Sequence, residues 1–305
     1  MIATIASQQI VALRRQRVFV SLLTLMLAMT AVAGVLGWSS HRTIVGVYDQ
    51  ATILLTQRGE LVPANPFTLK PTLSLLANME IYIPLIGALL AIVLGHLAIA
   101  DDEASGVGRL VFARPVDRRT YLAGKIAAAG VVLATLMAAS VVVSVVSLWV
   151  VNSAVPTGGE LARIVAFYAV AWLYLMVFAV IGMLTMLLAG RRPLALLSAM
   201  GTWLVITFVV PQFTSGLRPV ASLNPIVDPV STSQRLFQVT AHARPASIVE
   251  QYTTTSAQLL EIAPAEPAGH TIARLAPLAV ALAVSTSAAA FAIGRHDFSK
   301  GASRD

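Results

Sequence analysis

Six runs of about 20 apolar residues divide this chain, and their length rules out a soluble core. They are Val18 to Gly37, Ile81 to Ala100, Ile126 to Val151, Ile164 to Ala189, Leu194 to Phe213 and Ile272 to Gly294. A hydrocarbon layer roughly 30 Å thick takes about 20 residues of α-helix, because backbone N–H and C=O groups there must pair within the segment. With 57% hydrophobic residues, 11% charged and a mean hydropathy of +0.80, the chain has the composition such spans require. The predicted fold class is an all-α integral membrane protein of six transmembrane helices, one domain over residues 1–305. Pro193 and Pro211 bracket the fifth run, and only Gly190-Arg191-Arg192-Pro193 separates it from the fourth. That turn suits a helical hairpin with both ends at one membrane face.

An even number of spans puts both termini on one side. The segments Met1 to Arg17, Asp101 to Lys125, Gly190 to Pro193 and Arg295 to Asp305 carry 13 of the 21 Lys and Arg residues. By the positive-inside rule these segments and both termini are predicted to be cytoplasmic. Trp38, Tyr82, Trp149 and Tyr168 fall at the opposite ends of their spans, as an interfacial belt requires. The formal charge of +7 therefore reads as topology and attraction for anionic lipid, with no call for nucleic acid. Arg14, Arg15 and Arg17 precede the first run and Ala31-Val32-Ala33 has the form of a signal-peptide cleavage site. The run is too long for a signal h-region, so it is expected to be a retained span. Residues 1–17 place Ile2, Ile5, Ile10 and Leu13 near one helical face, which suits an interfacial helix; a frayed tail is the alternative.

Motifs for chemistry are missing from the sequence. It has no H-E-x-x-H, no G-x-S-x-G and no P-loop, since Gly124-Lys125 leads into Ile126 and Arg119 stands where the first glycine belongs. The chain is not expected to be an enzyme, and neither a cofactor nor a metal is expected in it. Cysteine is absent, and the five histidines are scattered. Met26 with Met29 and Met183 with Met186 stand three residues apart on spans 1 and 4; packing is their expected role, a soft-metal path the alternative. His96, the candidate within the six runs for carrying a proton, lies near a helix end where solvation is cheap, which weakens any ion-coupled mechanism. Gly130, Ala134 and Ala138 form a small-residue stripe on span 3 that suits a close helix contact, internal or with another subunit.

The segment from Ala100 to Lys125 gathers nine charged residues in an order of its own. Asp101, Asp102 and Glu103 come first and would favour the N-terminus of a short helix. Leu110, Val111 and Phe112 form an apolar patch, Pro115 stops the helix, and Asp117, Arg118 and Arg119 precede the next span. An ordinary solvated loop would explain the charges but not their order.

Glu103-x-x-Gly106, then Arg114-Pro115-Val116-Asp117-Arg118-Arg119, then Gly124-Lys125 resembles the cytoplasmic loop between spans 2 and 3 of type 2 ABC-transporter permeases, with Val107 where that family often has threonine. Six spans, cytoplasmic termini and a long outer segment between spans 5 and 6 fit as well. Within the family, the pattern is most similar to permeases of multicopper-enzyme maturation. The resemblance implies a short cytoplasmic coupling helix in 101–125 that docks on a separate ATPase subunit, where ATP is bound. It places Glu103 and Gly106 at the start of that helix, Leu110, Val111 and Phe112 in the contact, and Arg114, Arg118 and Arg119 at its rim. It also implies a second permease, identical or homologous, and a multi-pass place in a bacterial or archaeal inner membrane.

The outer segment 214–271 is predicted to hold a helix opened by Asp228-Pro229 and running to about Thr240, and another over Ser247 to Ile262. Capping the bundle is one role for it, contact with a substrate or an extracytoplasmic partner the other. The leading expectation is the permease subunit of an ATP-driven exporter; the alternatives are a non-transporting scaffold for an extracytoplasmic assembly and, third, an ion-coupled carrier.

Overall fold

The fourth apolar run is hydrophobic all round, the pattern of a helix surrounded by others. In the computed structural model, which describes residues 1–15, 17–60, 72–113, 116–152, 155–189, 191–214, 239–264 and 267–296, that run is the centre of the bundle. Here it is helix α6, Gly158–Ala189, buried without a break from Tyr174 to Met183. Before it come α1 (Ile2–Arg15), α2 (Val18–Gln57), α3 (Thr72–Ala104), α4 (Val107–Phe112) and α5 (Arg118–Asn152). After it come α7 (Arg192–Thr214), α8 (Ile248–Leu259) and α9 (Ala268–Arg295). Helices α3, α5, α7 and α9 surround α6, while α2 lies on α5 and the start of α3. Six helices are long and apolar enough to span, one for each apolar run, and no strand occurs among the described residues.

The helices outrun the apolar runs that announce them. Helix α3 begins at Thr72 and α5 at Arg118, so Glu80 and Lys125 belong to spanning helices, which brings ionisable groups besides His96 into the spans. Helix α2 has 40 residues, about 60 Å at 1.5 Å per residue, roughly twice a hydrocarbon core. Hydropathy marks where apolar side chains stop; backbone hydrogen bonding decides where the helix stops.

Helix contacts in lipid rest on close fit, and the closest one here is the crossing of α3 and α6. A Cβ on Gly95 would lie 1.8 Å from the Ala179 carbonyl oxygen, and one on Gly182 2.3 Å from that of Ile92. The stripe on α5 is not part of such a crossing: Ala134 and Ala138 are exposed, while the Gly130 carbonyl accepts a 2.9 Å hydrogen bond from Trp172 Nε1. Further bonds join α2 to α5 (Thr30 to Ser140, 3.3 Å) and α5 to α6 (Ser144 to Tyr168, 2.7 Å). Met26, Met29, Met183 and Met186 are all buried in the apolar core. His96 is buried too, and its Nδ1 has no hydrogen-bond partner among the described residues.

Proline shapes two spans without ending them. Pro84 lies in a π turn of α3, Ile83–Gly87, and Pro211 follows one in α7, Val205–Val209. A proline inside a helix withholds one N–H and crowds the carbonyl four residues back; a wider turn relieves both. Trp203 Nε1 donates to the Pro84 carbonyl at 2.9 Å and joins the two spans near these turns.

Helix α1 is an ordered element that lies against α5 through Ala6, Gln9 and Leu13, with Ile5 and Ile10 beside them and Ile2 exposed. Helix α8 matches the expected 247–262 helix, with Ser247 as its N-cap. The helix expected from Asp228-Pro229 lies outside the described residues, save Val239 and Thr240 at its end, which are helical.

Candidate functional site

The segment 101–125 turns from α3 into α4 and then into α5, and its charges are spent largely within the bundle. Asp101, Asp102 and Glu103 form the last turn of α3, which corrects the expectation that they open the short helix. Acids oppose the dipole at a helix C-terminus, so they need partners there. The reversal itself falls on Gly106, whose φ of +69° is the left-handed conformation glycine adopts at little cost.

Asp102 Oδ2 lies 2.6 Å from Lys125 Nζ and accepts a 2.6 Å hydrogen bond from the Tyr121 hydroxyl. Lys125, only 3% exposed, also donates to Gln9 Oε1 of α1 at 2.5 Å. A Cβ on the preceding Gly124 would sit 2.7 Å from Ile5. The Gly124-Lys125 pair thus has a local reason: the glycine admits α1 against α5, and the lysine ties α1, α3 and α5 through one ammonium. Removing one member of a buried pair leaves the other uncompensated, so the arrangement is brittle.

Glu103 makes a second tie, across 193 residues of sequence. Its Oε1 lies 2.6 Å from His296 Nε2 just past the end of α9, and His296 Nδ1 lies 2.9 Å from the Leu187 carbonyl oxygen of α6. Burial works against the imidazolium, but hydrogen bonds to Glu103 and the Leu187 carbonyl, with the Glu103 charge, outweigh it and hold the His296 pKa above its usual value. Arg118 then caps the same helix end: its guanidinium donates to the carbonyls of Ile293 (3.2 Å), Gly294 (2.8 Å) and His296 (3.0 Å). These are groups a helix C-terminus leaves without intrahelical partners. Asp117 does the converse at the start of α5, accepting from the Thr120 N–H at 3.2 Å as an N-cap.

Against this frame lies α4. The Phe112 ring meets Tyr121 at 5.3 Å between centroids, and the Arg118 guanidinium stands 5.9 Å from the Phe112 centroid. Val111 packs with the core as well, leaving Leu110 71% exposed at the tip. Arg119 is exposed beside an open cleft of about 320 Å³ that reaches Phe291 and Arg295 of α9. Arg114 lies outside the described residues.

The family model described as ABC-2 family transporter protein matches residues 3–298. The chain belongs to this family. No curated protein matched it. It is accordingly a multi-pass membrane protein and a permease subunit of an ABC transporter, of a family that implies a separate ATPase partner and a paired permease.

In this ABC-2 permease the expected contact residues divide by role. Glu103 and Arg118 bind the end of α9, Gly106 makes the turn, Val111 and Phe112 pack inward, and Leu110 and Arg119 face outward. Sequence reasoning missed Gln9, Asp102, Tyr121, Lys125 and His296 as members of the network. Lys125 and His296 sit at the edges of apolar runs, a signal that was legible; their partners were not, being far away in sequence.

Proposed function

We propose that this permease belongs to an exporter of a bacterial or archaeal inner membrane, driven by a P-loop ATPase that docks on the cytoplasmic 101–125 segment. The observation that carries the reading is the combination at α4: an exposed Leu110 on a short helix whose base ties α3, α5, α6 and α9 together. Closure of an ATPase dimer would press on that tip, and packed helices would carry the displacement as rigid bodies. Energy enters by contact, with ATP on the partner and no catalytic group required here. Leu110 and Arg119 are the contact, Gly106 the hinge, and Glu103 and Arg118 the linkage to α9. A second permease, identical or homologous, completes the transporter.

Affinity purification of the full chain from its own membranes tests this. A P-loop ATPase is expected to co-purify, to be lost with Leu110→Asp, and to be retained with Glu103→Ala, which instead loses the ATPase stimulation. Recovery of no ATPase from membranes in which the chain is intact would overturn the reading.

A further inference from the structure

The cleft beside Arg119 holds more positive charge than the fold uses. It lies between the start of α5 and the end of α9, and Asp117, Arg118, Arg119, Phe291 and Arg295 are among the residues that line it. Three guanidinium groups thus stand against one carboxylate, and Asp117 Oδ2 already accepts from the Thr120 N–H. Arg118 caps α9 through Nη1 alone, which leaves its Nη2 and Nε without a hydrogen-bond partner among the described residues. Arg119 and Arg295 make neither a hydrogen bond nor an ion pair among those residues.

A cation in the last turn of a helix answers the dipole there, and that alone would account for one arginine. Arg118 already donates to the carbonyls at the end of α9, so Arg295 exceeds the need. Its guanidinium stands instead 4.0 Å from the centroid of the exposed Phe291 ring, which holds the charge against the cleft wall. Arginine keeps its proton in proteins, so the excess does not depend on pH.

The complement of such a cleft is an anion with several acceptor oxygens, and guanidinium groups match phosphate oxygens through paired N–H donors. The volume of about 320 Å³ equals about ten waters at roughly 30 Å³ each, room for one phosphodiester and its hydration. The apolar face next to the cleft decides between a soluble phosphate and a lipid. Phe291, Val284 and Val280 are exposed, and steps of seven and four residues put them on one face of α9. Eleven residues separate Phe291 from Val280, about 16 Å of helix, close to half of a hydrocarbon core roughly 30 Å thick. Any spanning helix shows an apolar face to lipid, but here that face begins at the arginine cleft, where a headgroup would sit if its chains lay along α9.

We propose that the cleft binds the phosphodiester of an anionic phospholipid through Arg119 and Arg295, with Arg118 beside them, while an acyl chain lies along Phe291, Val284 and Val280. Bulk attraction of anionic lipid to a basic membrane face needs no particular arginine; this site does. In the coupling reading Arg119 also meets the ATPase, whereas Arg295 does not, so Arg295 separates the two.

Native mass spectrometry of the full chain, delipidated in dodecyl maltoside, tests this with dioleoylphosphatidylglycerol and with dioleoylphosphatidylcholine, which has the same chains and phosphodiester but no net charge. One phosphatidylglycerol per chain is expected to be retained, several-fold more tightly than phosphatidylcholine. Arg295→Gln should weaken its binding about fivefold, and Arg119→Gln with Arg295→Gln about twentyfold. Both side chains are exposed, so the changes leave the packing intact. Arg14→Gln with Arg15→Gln removes two exposed charges of α1 outside the cleft and should leave binding unchanged. Glycerophosphoglycerol, the headgroup without chains, should not displace the lipid; if it does, the cleft is a site for soluble phosphate and the lipid assignment falls. No retained phosphatidylglycerol, equal retention of the two lipids, or an equal loss in the Arg14 and Arg15 variant would overturn the proposal. The ATPase is absent throughout, so failure here leaves the coupling reading as it was.

Discussion

The two ends of the bundle pair their buried polar groups to different extents. At the end bearing α4, Asp102, Glu103, Arg118, Lys125 and His296 meet partners on other helices, and their charges are consumed in holding α1, α3, α5, α6 and α9 in register. At the end bearing α8, Glu250 is paired with Thr214 and Arg244, whereas the Tyr174, Thr207, Tyr252 and Ser256 hydroxyls make no hydrogen bond among the described residues. A satisfied network is stiff and suits a part that transmits force. Buried hydroxyls without a partner cost stability, on the order of 1–3 kcal/mol each.

The sharpest way to break the contrast is Lys125→Met. It strands Asp102 in a buried site and should cost about 3–5 kcal/mol of unfolding free energy in micelles, with partial recovery in the double variant Lys125→Met with Asp102→Asn. His296→Ala comes next, at about 1.5–3 kcal/mol, because it removes a hydrogen bond to a charged group. That pair also carries a pH signature. The folded His296 pKa is raised, so the stabilisation is complete below its ordinary value of 6.5 and is lost as pH rises through the raised value. Wild type should therefore lose thermal stability from weakly acidic to alkaline pH more steeply than His296→Gln, with Glu103 and Arg118 the charged groups that face the imidazole.

At the other end the sign should reverse. Ser256→Ala deletes a hydroxyl without a partner among the described residues and should leave stability unchanged or raise it by up to about 1 kcal/mol, measured by the same unfolding assay. A clear loss of stability there would mean the hydroxyl is paired after all and would erase the contrast. The smallest stability effect belongs to Leu110→Ala, within about 0.5 kcal/mol, since the side chain is largely exposed; its loss should appear in ATPase stimulation.

Much of the fold was legible in the chain. Six apolar runs became six spanning helices, the Ser247 helix formed where its cap predicted, and the 101–125 segment contains the short helix its apolar patch announced. The misreadings share one cause. Asp101 to Glu103 were assigned to the wrong helix because acids favour N-termini in isolation, whereas here cross-helix partners decide. Glu80 and Lys125 escaped notice as intramembrane groups because hydropathy trims a helix at its first charge. The stripe of Gly130, Ala134 and Ala138 left open whether its partner was internal or another subunit; within the chain Ala134 and Ala138 are exposed, and the tight crossing is at Gly95 and Gly182.

By itself the sequence determined what depends on neighbours along the chain: which segments lie in lipid, where charges collect, and where the chain can turn, as at Gly106. Only the tertiary structure decided which distant groups meet, such as Glu103 with His296 and Lys125 with Asp102 and Gln9. The reason is physical. Hydropathy and propensity act residue by residue along a helix, while pairing energy falls off over a few ångströms and depends on how six helices settle against one another.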